Sequence, residues 1–114
     1  MKNDQIQPIR YYFIIASNRF LLLDEPVEEI LRERVQHYNR VKKPIDFWLV
    51  KSPKFMESNQ LSSLRAQIPA YRCSAVVSTN QTFITWLKLR FQNVAIGSFN
   101  APTKEISSPL SSNA

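Results

Sequence analysis

STNQTFITWLKLRF, Ser78 to Phe91, opens with three side-chain oxygens and runs on as a dense series of packing residues. Ser78, Thr79 and Asn80 can accept from exposed first-turn N–H groups, which predicts a helix starting at Asn80 or Gln81. At about 100° per residue, Phe83, Ile84, Leu87 and Phe91 share one broad face with Trp86 beside it, and such a face covers a sheet. Arg90 falls between Trp86 and Phe83, while Thr85 and Lys88 lie opposite. A guanidinium keeps its proton, so Arg90 must pair, snorkel to water or meet another protein. It is either a structural arginine stacked on Trp86 and tied to a carboxylate, or an exposed interface arginine among aromatics.

The segments on either side of this helix read as strands. CSAVVS, Cys73 to Ser78, leads into it, and NVAIGSF, Asn93 to Phe99, follows, with the chain's single glycine, Gly97, allowing a bulge or a close backbone approach. Upstream, IDFWLVK alternates from Ile45 to Lys51, with Ile45, Phe47 and Leu49 facing one way and Asp46, Trp48 and Val50 the other. Asp46 therefore lies either at a wet strand end or against a cation, Arg90 being the first candidate. RYYFIIAS, Arg10 to Ser17, has neither Gly nor Pro and is expected at the centre of the sheet.

Between these strands lie two further helical segments. Asp24, Glu25 and Pro26 suit a helix start, and Val27, Ile30, Leu31, Val35 and Tyr38 form an apolar stripe on a helix from about Glu25 to Tyr38. Glu28, Glu29, Arg32, Glu33 and Arg34 are expected to stay wet. Glu57 to Gln67 has a weaker rhythm of Leu61, Leu64 and Ile68, capped by Ser58 or Asn59 and stopped by Pro69, and predicts a short second helix. The whole order describes one α+β domain over residues 1–99, with its core from about residue 10. It does not by itself decide whether the strands run parallel. Residues 100–114 are rich in Pro, Ser, Thr and Asn and read as a flexible tail.

Composition narrows the function classes. The 114 residues suit one domain, and a hydrophobic content of 44% suffices for a modest core. Runs such as YYFIIA and FLLL fall far short of the ~20 residues that span a bilayer. Residues 1–10 show neither a secretory nor a transit pattern, so the protein is expected to act where it is made. Cys73 and His37 are the only residues of their kinds, which excludes a disulfide, a zinc cluster or a Cys/His catalytic pair within one chain. Cys73 reads as a small core residue and His37 as a solvated side chain near a helix end. One glycine cannot build a phosphate loop, and the serines have no histidine placed as a base, so no independent catalysis and no cofactor are expected. The net charge of +6 permits attraction to nucleic acid, but no Lys/Arg run exceeds two and the aromatics do not interleave with them.

Two dense motifs, IDFW followed by VVSTNQTFITWLKLR, and the early YYF with ASNRFLLLDEPVEEILRER, resemble the chloroplast hypothetical reading frame fifty-four family from about Tyr11 to Phe99. That resemblance implies a four-stranded antiparallel sheet flanked by about three helices. It implies a non-catalytic accessory protein of chlorophyll biosynthesis that binds the catalytic di-iron subunit of the aerobic magnesium-protoporphyrin IX monomethyl ester cyclase. It also implies a plastid protein if algal, or one in the cytoplasm or at the thylakoid if cyanobacterial, with membrane association only through its partner. The partner-binding residues it carries over are Asp46, Phe47 and Arg90, with Trp48, Trp86 and Phe83 in support. Strict alternation puts Phe47 opposite Asp46, so the three share a patch only at a strand end or a bulge. The alternatives are a tetrapyrrole carrier with His37 as its only imidazole and, on net charge alone, a nucleic-acid-binding module.

Overall fold

The structure, a computed structural model, describes residues 7–68 and 72–113. Four strands, β1 (Ile9–Ser17), β2 (Phe47–Lys51), β3 (Cys73–Ser78) and β4 (Ala95–Ala101), form one antiparallel sheet in the order β2-β3-β1-β4. The expected α+β class and the central place of β1 both hold. Two helices are long: α1 (Val27–Val41) and α3 (Gln81–Phe91).

Strand alternation divides the interior into two clusters. Ile14, Ala16, Phe47 and Val76 face α1 and α3, meeting Leu31, Tyr38, Phe83, Ile84, Leu87 and Phe91. Phe13, Ile15, Val50, Ala75, Val77 and Phe99 face the other way and are covered by Phe55, Met56, Leu61 and Ile106. Both faces of the sheet are thus buried, which is why β1 and β3 read as nearly unbroken apolar runs.

Helix ends follow local chemistry. Asn80 caps α3, its side chain accepting from the Phe83 N–H at 3.2 Å. The start of α1 differs from expectation: Asp24 does not cap it, and the helix begins at Val27 behind Pro26, with Glu28 and Glu29 complementing its dipole. Asp24 instead closes a π-turn (Arg19–Asp24) and lies 3.9 Å from Arg19. At the other end of α1, Lys42 adopts a left-handed conformation and the Lys43 N–H returns to the Tyr38 carbonyl at 2.9 Å, ending the helix.

Two sequence expectations are corrected. The predicted second helix is replaced by two 3₁₀ turns (Lys54–Glu57 and Asn59–Leu61) and a four-residue helix, α2 (Ser62–Arg65). The tight turns deliver Phe55, Met56 and Leu61 to the sheet within a few residues, which one amphipathic helix from Glu57 would not do. Its expected stop, Pro69, lies outside the described residues. The domain also does not end at residue 99. The β4 ladder runs to Ala101, Ile106 is 3% exposed within the core, and residues beyond it bridge back, Pro53 pairing with Ser112. Glu105 accepts from Ser58 Oγ at 3.0 Å, and Asn113 donates to Glu57 at 2.9 Å. One apolar anchor in a polar segment suffices to seat it.

Gly97 meets the second of its two readings. It pairs with Phe13, and a Cβ there would sit 2.6 Å from the Phe13 ring tip. No bulge is needed, because the ring occupies the missing side chain's space.

Candidate functional site

The site grows from the turn between β3 and α3. Ser78 is fully buried; its hydroxyl donates to the Asp46 carbonyl at 2.7 Å and accepts from the Asn80 N–H at 2.9 Å. The Thr79 N–H also donates to that carbonyl. The opening of STNQTFITWLKLRF therefore fixes the start of α3 and the position of Asp46 together. Asp46 sits just ahead of β2, where strand alternation no longer dictates its direction. Its Oδ1 accepts from Tyr38 Oη at 2.9 Å, on the same side as Phe47.

Tyr38 Oη in turn accepts from Arg34 Nη2 at 3.0 Å, so a cation, a phenol and a carboxylate form one relay from α1 to the edge strand. Arg34 is the residue that sequence reasoning left in solvent. Its guanidinium lies 3.8 Å above the Phe83 ring and within 5.4 Å of the Phe47 and Tyr38 rings. Its Nε is buried with no acceptor. The signal was present in the spacing of Val27, Leu31, Arg34 and Tyr38, which places a cation inside the apolar stripe of α1.

An aromatic series carries the arrangement outward. Phe47, 3% exposed, meets Tyr38 edge-on at 5.2 Å and Phe83 at 5.6 Å, and Phe83 stacks with Trp86 at 6.3 Å and 16°. Trp86 is 49% exposed and Leu89 69%, so the outer side of α3 is apolar although its inner face already fills the core. Arg90 lies beyond, 5.9 Å from the Trp86 ring.

The structure thus joins Asp46, Phe47, Phe83, Trp86 and Arg90 through Tyr38 and Arg34. It does not join Asp46 to Arg90: no ion pair or hydrogen bond links them, and the partner of Asp46 is Tyr38. Nor is Arg90 tied to a carboxylate; it is exposed, at a cleft of about 400 Å³ whose other side carries Glu29 and Glu33 of α1 and Glu25 just ahead of it. Trp48 does not belong to the group. Alternation turns it to the opposite face of the sheet, 6.4 Å from Tyr11.

His37 is exposed on α1 and Cys73 is buried in β3, where desolvation pushes its thiol up to about 11. Among the described residues, no three His, Cys, Asp or Glu side chains converge as a metal site, and no helix is long and apolar enough to cross a membrane.

Comparison with known proteins agrees with this construction. The family model described as Ycf54 protein matches residues 9–101. A Ycf54-like protein of Synechocystis is 45% identical over 102 residues, covering 90% of this chain and 76% of its own. An uncharacterized ycf54 protein of Pyropia yezoensis is 47% identical over 89 residues, covering 78% and 79%. The crystal structure of the All0216 protein from Nostoc superimposes with a TM-score of 0.91 at 47% identity, covering 96% of this chain and 100% of that one. Relatives occur in cyanobacteria and in chloroplasts.

Proposed function

This chain belongs to the Ycf54 family, and from that premise we propose that it is a non-catalytic accessory protein of chlorophyll biosynthesis. In this reading it binds the catalytic di-iron subunit of the aerobic magnesium-protoporphyrin IX monomethyl ester cyclase and supports protochlorophyllide formation. It works in a plastid or a cyanobacterial cell and reaches a membrane only through that partner.

The observation that carries the reading is the outer side of α3. Trp86 and Leu89 are exposed beside Arg90, and a tryptophan next to an arginine on an apolar patch is the composition that binding hot spots favour. Asp46 and Phe47 support it differently. Phe47 is too buried to touch a partner broadly, so it holds Phe83 and Tyr38 in place, and Asp46 orients the charged rim through Tyr38.

The test is affinity capture from pigmented cells, comparing the intact chain with an Arg90→Ala variant of unchanged circular dichroism. The expected result is that the intact chain retains the cyclase catalytic subunit and the variant loses most of it. Retention by both removes Arg90 from the contact, and retention by neither overturns the accessory reading.

A further inference from the structure

Between α1 and the first turn of α3 lies an open cleft of about 310 Å³, walled by Arg34, Asn80, Thr82 and Trp86 and floored by Phe83. Three features give it a chemical preference. Arg34 spends one nitrogen, Nη2, on Tyr38; its Nε is buried without an acceptor, and among the described residues its Nη1 makes no hydrogen bond, which leaves Nη1 uncommitted. The cation sits over the Phe83 ring at 3.8 Å and is tied to Tyr38, so it is held in place before any ligand arrives. The neighbouring first turn of α3 carries no acidic residue, so its Asn80 cap is neutral and the positive end of an eleven-residue helix meets the same cleft without a carboxylate. Glu25, just ahead of α1, and Glu29 and Glu33 on it are gathered at the separate cleft beside Arg90.

A guanidinium with its Nη1 uncommitted, held over an aromatic floor, complements a carboxylate on an apolar stem. We propose that Arg34 is a recognition residue, and that this cleft takes an aspartate or glutamate side chain from an amphipathic segment of the protein partner. The apolar side of the same segment lies along Trp86 and Leu89, which are exposed next to the cleft. The occupant follows from charge complementarity: the cleft is lined by a cation and apolar area but by no acidic side chain, and the nearby Asp46 carboxylate is reached only through the Tyr38 hydroxyl. The inference rests on the partner-binding reading above and adds to it the chemistry of the partner's anchor.

The test uses the full chain and a small probe, so that it is read independently of cyclase capture. Amide and guanidinium NMR shifts are followed while 3-phenylpropionate is titrated in, and again with its neutral isostere 3-phenylpropanamide. The expected result is saturable shifts confined to Asn80–Trp86 and the Arg34 side chain, given by the carboxylate and weaker by about tenfold or more with the amide. Arg34→Met, which keeps an apolar stem on Phe83, loses the preference for the carboxylate, while Arg90→Ala retains it. Arg34→Lys, folded and charged but without the planar fork, binds more weakly than the intact chain. Equal shifts from acid and amide, or an unchanged preference in folded Arg34→Met, overturn the proposal. Failure of the intact chain to capture the cyclase subunit overturns the functional reading and leaves the titration result to stand for the cleft itself.

Discussion

The Tyr38 hydroxyl stands between two charges, accepting from Arg34 Nη2 at 3.0 Å and donating to Asp46 Oδ1 at 2.9 Å. Tyr38→Phe removes one oxygen and breaks both contacts while keeping the ring against Phe47. Because Asp46 and Arg34 are only half-buried and water can replace part of the loss, the expected cost is about 1 kcal/mol. Thermal melting measures it. A double-mutant cycle with Asp46→Ala, which removes the acceptor of the Tyr38 hydroxyl, is expected to be non-additive, since both changes cut the same relay.

Arg90→Ala is expected to leave stability within about 0.5 kcal/mol of the intact chain, because the side chain is exposed and holds no carboxylate. A structural arginine paired with Asp46 would instead lower the melting temperature on truncation. Melting curves of the two proteins, recorded together, separate a contact residue from a structural one.

Gly97→Ala places a methyl group 2.6 Å from Phe13 Cζ. That ring cannot swing aside freely, for it is fully buried and packed against Phe55 at 4.9 Å and Phe99 at 6.0 Å. Overpacking of this kind costs about 1–3 kcal/mol. Urea denaturation should show a lower midpoint with an unchanged slope.

Ending the chain after Ala101 removes Ile106 from the second cluster and the backbone bond from the Lys54 N–H to the Ser111 carbonyl. Loss of the isoleucine alone is worth about 1.5–3 kcal/mol. The shortened protein is expected to melt lower and to expose amides of residues 54–61 to hydrogen exchange. Equal stability of the two lengths would show the segment to be an ornament.

Cys73 supplies a prediction in alkali. Its folded thiol is raised from 9.0 to about 11 by desolvation, so between those values the unfolded chain releases a proton that the folded chain keeps. Stability therefore falls as pH rises through that window, and Cys73→Ala, which has nothing to titrate, should show a shallower decline. At neutral pH the native thiol is expected to resist maleimide until the protein unfolds.

Much of this was legible in the residues because the strong periodicities are also the structural ones. RYYFIIAS, IDFWLVK and CSAVVS became strands, and Asn80 capped α3 as its side chain predicts. The site was legible only in part. Asp46 and Arg90 were visible as charges among apolar neighbours, but the sequence could not say that the partner of Asp46 is a tyrosine eight residues earlier. Arg34 escaped notice because a long cationic side chain at the border of a stripe ordinarily snorkels, and its burial depends on Phe83, distant in sequence. Trp48 looked equivalent to Trp86 by composition, and only the direction of its strand position sends it to the other face. The short turns near Phe55 and the seat of Ile106 depend on tertiary packing that no local rhythm encodes.

The strand order places β1 between β3 and β4, although it precedes both in the chain. While the chain is being synthesised, Phe13, Ile14 and Ile15 emerge before either neighbour is available, and β4, which pairs Ala101 with Ile9, follows the other three strands of the sheet. The sheet should therefore close only after β4 has been released. A prematurely terminated copy would present an unpaired, apolar central strand, a state that chaperones and proteases readily distinguish from the finished protein.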